Sequence, residues 1–242
     1  FFKQKTAYEM LRSLVGSEMC IRDRYERING RKENSVKIVA VSKTHPIEYI
    51  LWGIEAGIEI FGENYVQELK SKYQYFLDNN LTAPEFHFIG HLQTNKVKYI
   101  ASFITMIHSV DSVKLAKEID RRASDNNRII DILVQVNTSG ERSKFGCKPE
   151  ELEFILNEIK NFENINIKGL MTIGSFSGDE NIYRAEFRLL KQLRDDMQNK
   201  FSSLKLEHLS MGMSHDFIAA IEEGATIVRI GTNIFGLRNY NE

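Results

Sequence analysis

The segment Lys37-Ile-Val-Ala-Val-Ser-Lys-Thr44 is an unbroken run of apolar and small residues that ends in a lysine. A run without the alternation of a half-exposed strand predicts a β-strand buried on both faces, as in a parallel sheet. Pro46 then opens the amphipathic stretch 47–56, which predicts a helix directly after the strand. The pattern therefore indicates a β/α unit, with Lys43 at the carboxyl end of its strand.

Lys43 is the first candidate for chemistry, because ligands bind at the carboxyl ends of the strands in parallel α/β folds. Partial removal from water favours the neutral amine of a lysine, which is the form that attacks a carbonyl group to make a Schiff base. The alternative is a lysine that only extends from the strand end into solvent.

The composition is that of an ordinary folded domain. The chain has 242 residues, of which 42% are hydrophobic and 27% charged, with a net charge of −1. This charge provides no field for nucleic acid or a membrane surface, and no run approaches the ~18 apolar residues of a membrane span. Two distant cysteines, Cys20 and Cys147, suggest neither a disulfide framework nor a zinc cluster. We expect a cytoplasmic protein without a bound metal.

Residues 1–24 differ from the rest of the chain. Their apolar residues are scattered among charged ones, so they do not form the core of a signal peptide. We expect residues 1–24 to be a non-native or disordered extension and residues 25–242 to form the folded domain. The alternative is a genuine N-terminal helix that continues through residues 25–28 and covers the bottom of the fold.

From residue 36 onward, strand-like and helix-like segments alternate. Eight strands and eight helical segments, one of them N-terminal, predict an α/β fold made of a single (β/α)8 TIM barrel with an N-terminal helix. A doubly wound sheet is the competing fold, but no Gly-x-Gly-x-x-Gly follows the first strand. The predicted strands are 36–43, 58–64, 86–90, 106–110, 129–137, 165–173, 206–210 and 226–230.

The loops after the last two predicted strands indicate a phosphate site. Ser210-Met-Gly-Met-Ser-His-Asp216 and Gly231-Thr-Asn-Ile-Phe-Gly236 place small residues and hydroxyls before helix starts. Backbone N–H groups bind phosphate there, and TIM barrels often build phosphate sites from these two loops. The alternative is that the glycines only make tight turns. A reactive lysine and a phosphate site on one face predict pyridoxal 5'-phosphate, linked to Lys43 and resting its phosphate on Ser214, Gly231 and Thr232.

These segments resemble a known family. The chain is similar to the pyridoxal phosphate homeostasis family, single-domain barrels related to the N-terminal domain of alanine racemase. The resemblance extends from about residue 26 to the end and rests on these motifs: Val39-Ala-Val-Ser-Lys-Thr44, Phe61-Gly-Glu-Asn-Tyr-Val-Gln-Glu68, His87-Phe-Ile-Gly-His-Leu-Gln-Thr-Asn-Lys96, Gly169-Leu-Met-Thr-Ile173, Leu209-Ser-Met-Gly-Met-Ser-His-Asp216 and Val228-Arg-Ile-Gly-Thr-Asn-Ile-Phe-Gly236.

The resemblance implies a role for each site residue. It implies Lys43 as the Schiff-base lysine and Arg229 facing the pyridine nitrogen of the cofactor. The other implied cofactor-binding residues are Ser214, Gly231 and Thr232 at the phosphate and Asn64 and Met171 along the ring. Outside this set, we expect His91 to cap the next helix and Glu63 to form a partly solvated ion pair at the rim.

The resemblance further implies a carrier or buffer of pyridoxal phosphate with little or no turnover and no catalytic residues. An arginine cannot give up its proton, so a ring nitrogen paired with Arg229 makes a poor electron sink. The chain ends twelve residues after the last strand, so we expect no second domain with the second base of alanine racemases. The alternatives are an amino-acid racemase or decarboxylase with the same cofactor, and a barrel enzyme acting on a phosphorylated sugar. The expected partners are the cofactor and apo-enzymes that need it, and the expected state is a monomer.

Overall fold

The computed structural model describes residues 7–236, and within them eight parallel strands close into a barrel in sequence order. The predicted barrel is therefore confirmed. The strands are β1 Lys37–Val41, β2 Ile60–Glu63, β3 Glu85–Phe88, β4 Met106–Val110, β5 Ile130–Gln135, β6 Ile165–Met171, β7 His208–Met213 and β8 Ile227–Ile230.

Helices lie between the strands on the outside of the barrel. Between β3 and β4 the chain forms only a short 3-10 helix, Thr94–Tyr99, and a second 3-10 helix, Pro149–Glu151, follows β5. The α-helices are α1 Ala7–Ile28, α2 Ile47–Glu55, α3 Val66–Asp78, α4 Val113–Asp125, α5 Leu152–Ile159, α6 Glu180–Lys200, α7 Phe217–Glu222 and α8 Thr232–Phe235.

Two layers of apolar side chains explain why the strands show no alternation. Side chains on the outer face of the strands pack against the helices in one large cluster that includes Ala40, Phe61 and Ile107. Those on the inner face form a smaller cluster inside the barrel, made of Val39, Ile60, Met106, Leu133, Met171 and Ile227. Because both faces are buried, both need apolar residues.

The barrel closes through the pairing of β1 with β8. Val39 lies opposite Arg229, and Ala40 lies opposite Ile230. The carboxyl ends of the first and last strands are therefore neighbours, although almost the whole chain separates them. This closure places Lys43 and the loop after β8 at the same end of the barrel.

The helix α1 crosses the boundary that we expected at residues 24 and 25. Leu11 and Val15 are buried in the outer cluster. Arg22 Nη2 donates to Asn34 Oδ1 over 2.7 Å. Residues 7–24 are thus not a disordered extension, because their apolar side chains pack near the amino-terminal ends of the strands. Residues 1–6 lie outside the described part. None of the helices within residues 7–236 combines the length and apolar character needed to cross a membrane.

Candidate functional site

A cavity of about 250 Å³ opens at the carboxyl ends of the strands. It brings together six of the seven cofactor-binding residues predicted from the sequence. Its volume lies just below the roughly 300–1,000 Å³ of most ligand pockets, which suits a small, single-ring ligand. The lining residues are Val41, Lys43, Asn64, Ile89, Ile173, Phe176, Met213, Ser214, His215, Arg229, Gly231 and Thr232.

Met171 is the predicted residue that does not line this cavity. Its side chain is fully buried inside the barrel, in the cluster with Val39 and Ile60. Ile173, two residues further on and partly exposed, lines the cavity instead. Side chains two residues apart in a strand share one face, so Met171 is one layer deeper in the barrel than the resemblance implied.

Lys43 lies directly beyond the end of β1 and is partly exposed at the cavity wall. Ser42 before it is fully buried, and its hydroxyl donates to Glu63 Oε1 over 2.7 Å. Thr44 after it has a φ of 64°, in the left-handed region that β-branched residues rarely adopt. The chain thus turns sharply directly after Lys43, which lines the cavity at the carboxyl ends of the strands.

Asn64 presents an unpaired acceptor at the cavity. Its Oδ1 is buried and has no hydrogen-bond partner among the described residues. Gly90 makes this position possible, because a Cβ there would lie 2.3 Å from the Asn64 carbonyl oxygen. A buried amide oxygen is stabilised by a hydrogen bond, so Asn64 Oδ1 suits a ligand that offers a hydroxyl or N–H group.

Arg229 is a buried cation whose orientation is fixed by hydrogen bonds to residues of the neighbouring strands and loops. Its Nη1 donates to Ser210 Oγ over 2.7 Å, and its Nη2 donates to the Thr172 carbonyl over 2.8 Å. Burial lowers the pKa of Arg229 to about 10, against an opposing effect of Asp216. The guanidinium therefore remains charged at neutral pH and can offer only donors to a ligand.

Two histidines continue the hydrogen bonding from Arg229 and Ser210 into the barrel interior. His108 Nδ1 lies 2.9 Å from Ser210 Oγ, and His108 Nε2 lies 3.0 Å from His87 Nδ1. Burial lowers the pKa of His87 to about 3 and holds that of His108 well below its ordinary value, so both rings are neutral. Because Arg229 can only donate, Ser210 accepts from it and donates its own hydrogen to His108. This direction assigns the Nε2–H tautomer to both histidines.

The two loops predicted to hold phosphate meet at one side of the cavity. The backbone N–H of Gly231 donates to Ser214 Oγ over 3.2 Å, and Asn233 Nδ2 donates to the Ser214 carbonyl over 3.1 Å. Gly212, with a φ of 93°, makes the turn, since a Cβ there would lie 2.6 Å from Ala220 Cβ. Hydroxyls of Ser214 and Thr232 and nearby backbone N–H groups thus converge, although α8 is a single turn.

Asp216, His215 and Phe176 are residues at the site that the sequence reasoning missed. Asp216 Oδ1 accepts from the Met213 backbone over 2.5 Å, and burial raises the pKa of its carboxyl group. His215 Nε2 lies 3.2 Å from Asp216 Oδ2, and the His215 ring stacks on Phe176 with centroids 5.0 Å apart. Phe176 is 81% exposed at the rim. The sequence did contain one signal for Phe176, since it is an aromatic residue in an otherwise polar loop.

Two further expectations were wrong in detail. His91 stacks on Phe145 at a centroid distance of 3.9 Å and does not cap the following 3-10 helix, whose first residue follows Gln93. Glu63 does form an ion pair, with Lys72 at 2.6 Å, but its side chain is wholly buried and not partly solvated. Within residues 7–236, no three His, Cys, Asp or Glu side chains come together as metal ligands.

Comparison with known proteins places this geometry in a family. Residues 19–239 match the family model described as "Alanine racemase, N-terminal domain". The pyridoxal phosphate homeostasis protein of Aquifex aeolicus is 47% identical over 211 residues, which cover 87% of this chain and 91% of that protein. The homologue of the same name in Vibrio cholerae is 43% identical over 213 residues, 88% of this chain and 89% of that protein.

A solved structure agrees with the sequence relatives. PipY of Synechococcus elongatus, solved with pyridoxal phosphate bound, superimposes with a TM-score of 0.78 at 34% identity and covers 89% of this chain and 100% of PipY. Family model, sequence relatives and structure agree over nearly the whole chain. The chain therefore belongs to the pyridoxal phosphate homeostasis protein family, built on the barrel of the alanine racemase N-terminal domain.

Proposed function

We propose that this protein binds pyridoxal 5'-phosphate through Lys43 and acts in cofactor homeostasis as a carrier or buffer. The observation that carries the proposal is the convergence of Lys43, Asn64, Arg229 and the loops after β7 and β8 on one small cavity. The names of the relatives and the ligand in PipY support the same cofactor.

The residues around the cavity fit the chemistry of this cofactor. When bound, pyridoxal phosphate supplies an aldehyde whose carbonyl condenses with a primary amine, with release of water. Lys43 supplies that amine at one wall, and Ser214 and Thr232 supply hydroxyls for a phosphate. The buried Oδ1 of Asn64, which has no partner within residues 7–236, offers an acceptor to a ring substituent. Ile89 and Ile173 give the apolar walls that an aromatic ring needs.

Arg229 favours storage over turnover. A donor facing the pyridine nitrogen keeps that nitrogen unprotonated, so the ring withdraws electrons weakly. The bonds from Arg229 to Ser210 and Thr172 hold the guanidinium in one orientation. We therefore propose that the protein has little or no turnover. We also propose that it works as a monomer, in the cytoplasm, and transfers cofactor to apo-enzymes that require it.

Covalent labelling tests this function. The purified protein is incubated with pyridoxal phosphate, its visible absorbance is recorded, and borohydride then fixes the linkage for peptide mapping. We expect a visible band that borohydride removes and a pyridoxyl label on Lys43. Lys37, at the opposite end of β1, is the matched lysine for comparison, and Lys43→Arg should lose both band and label. A label mainly on another lysine would contradict the proposal.

A further inference from the structure

A cluster of three charged residues, Glu63 and Lys72, which are buried, and Glu68, which is partly exposed, contacts the backbone on both sides of Lys43. The ammonium of Lys72, on α3, is 7% exposed and lies 2.6 Å from Glu63 Oε1 and 2.7 Å from Glu68 Oε1. Lysine is rarely buried unless it is paired, and here both partners are carboxylates. The function proposed above uses none of these three residues.

The cluster reaches the residue before Lys43 by two hydrogen bonds. Lys72 Nζ donates to the Ser42 carbonyl over 2.8 Å. The Ser42 hydroxyl donates to Glu63 Oε1 over 2.7 Å. Ser42 is thereby held through both its backbone and its side chain at the end of β1.

The same cluster reaches the residue after Lys43. The backbone N–H of Thr44 donates to Glu68 Oε1 over 2.6 Å, and that same oxygen accepts from Lys72. Thr44 is in the left-handed conformation, with a φ of 64°. A β-branched residue adopts this conformation only when its surroundings enforce it, and such strain is common at functional sites.

We infer that Lys72 and Glu68 are positioning residues for Lys43. By fixing Ser42 and the strained Thr44, they set the direction in which the Lys43 side chain leaves the backbone, without contacting the ligand. The inference rests on the proposed function, in which Lys43 attaches covalently to pyridoxal phosphate. Glu63 completes the cluster as the buried counter-charge of Lys72.

A purely structural role for the cluster predicts a different outcome. If Lys72 only joined α3 to the barrel, its loss would disturb the whole cavity, including non-covalent binding. If it positions Lys43, its loss slows covalent attachment and leaves phosphate and ring binding unchanged. Pyridoxine 5'-phosphate, which lacks the aldehyde, separates the two cases because it binds without reacting.

The test compares Lys72→Met with Lys70→Met, an exposed lysine on the same helix. For each variant, the rate of appearance of the visible band with pyridoxal phosphate and the affinity for pyridoxine 5'-phosphate are measured. We expect attachment to be about 10- to 100-fold slower in Lys72→Met, as for a misplaced reacting group, with unchanged affinity for the analogue. Lys70→Met should match the wild type in both measurements.

A second pair of variants keeps the inference testable if Lys72→Met does not fold. Glu68→Gln retains an oxygen that accepts from the Thr44 N–H, whereas Glu68→Ala removes it. We expect Glu68→Gln to attach the cofactor within a few-fold of the wild-type rate and Glu68→Ala to be about tenfold slower or worse.

Two results would overturn the inference: wild-type attachment rates in Lys72→Met or Glu68→Ala, or equal losses of attachment and of analogue affinity. Labelling of the wild-type protein at a lysine other than Lys43 would overturn the proposed function instead, so the two failures are distinguishable.

Discussion

The guanidinium of Arg229 donates to the hydroxyl of Ser210 over 2.7 Å, and Ser210 in turn contacts the neutral ring of His108. The Ser210 hydroxyl donates to His108 Nδ1, and His108 Nε2–H donates to His87 Nδ1. Arg229, which lines the cavity, is therefore oriented by a series of hydrogen bonds inside the barrel that ends at His87.

Ser210→Ala should remove the hydroxyl that connects Arg229 to His108. The change removes one of the two hydrogen bonds of buried Arg229 and one of the two of buried His108, and each buried polar atom left without its partner costs roughly 1–3 kcal/mol. We expect a lower free energy of unfolding and weaker pyridoxal phosphate binding. Ser109→Ala is the matched control, because Ser109 Oγ is buried and has no hydrogen-bond partner among the described residues. It should be neutral or stabilising; equal effects of the two changes in chemical denaturation would contradict this account.

The two buried histidines should make the protein sensitive to acid. In the unfolded chain they take up protons near pH 6.5, but in the folded state His87 does so only near pH 3 and His108 well below its ordinary value. Their contribution to stability is therefore complete above pH 6.5 and is lost as the pH falls below it. Between pH 7.5 and 5.5 we expect a loss of about 1.4 kcal/mol per histidine. Urea denaturation should show a smaller loss in His87→Gln than in the surface control His91→Gln.

The hydroxyls of Ser214 and Thr232 should hold the phosphate. Hydrogen bonds to a charged group are worth roughly 1.5–3 kcal/mol each, so Ser214→Ala with Thr232→Ala should weaken cofactor binding by an order of magnitude or more. The fold should survive, since neither side chain is part of the buried core. Ser177→Ala, in the loop after β6 and outside the cavity lining, serves as the control. Unchanged affinity in the double variant would place the phosphate elsewhere.

Residues 1–24 should be dispensable for cofactor binding but not for stability. Their deletion removes buried Leu11 and Val15, each worth roughly 1.5–3 kcal/mol, and no residue that lines the cavity. We expect a lower melting temperature and an unchanged dissociation constant for pyridoxal phosphate. A loss of affinity in the truncated protein at a temperature where it is folded would contradict the prediction.

The protein should be a poor racemase. Racemisation needs a base on each face of the cofactor, and the loss of one positioned acid or base costs about 10²–10⁴-fold. Among the described lining residues, Lys43 can serve one face, and His215 is tied to Asp216 and stacked on Phe176. Circular dichroism of L-alanine incubated with cofactor-loaded protein should show turnover far below ~1 per second, and none with Lys43→Arg. Turnover near that value would restore the enzyme alternative.

The sequence allowed the barrel and most of the cavity to be predicted, because strand ends follow directly from apolar runs. Lys43, Asn64 and Arg229 were found in this way, since each lies within two residues of the end of a recognisable strand. Met171 was misplaced by one layer, because the depth of a side chain depends on strand stagger, and neighbouring strands shift register here. Periodicity within one strand does not determine that stagger.

The buried polar contacts could not be predicted, for a different reason. Lys72 lies on a polar helix close to the exposed Lys70, and nothing local indicates that it faces the strand ends. His87, His108 and Ser210 are on strands far apart in sequence, so their contacts exist only after the barrel closes. Polar residues within otherwise apolar strands were the only signal, and they do not identify their partners.

Closure through β1 and β8 has a consequence for the timing of cofactor capture. A nascent chain that has emerged from the ribosome up to β7 already displays Lys43, but it has neither Arg229 nor Thr232. If the cofactor binds as proposed, the complete site exists only after the last strand has been synthesised and has joined the first. A ligand that contacts both Lys43 and the loop after β8 would bind only the closed barrel, so we expect it to stabilise the completed protein and not its unfinished precursors.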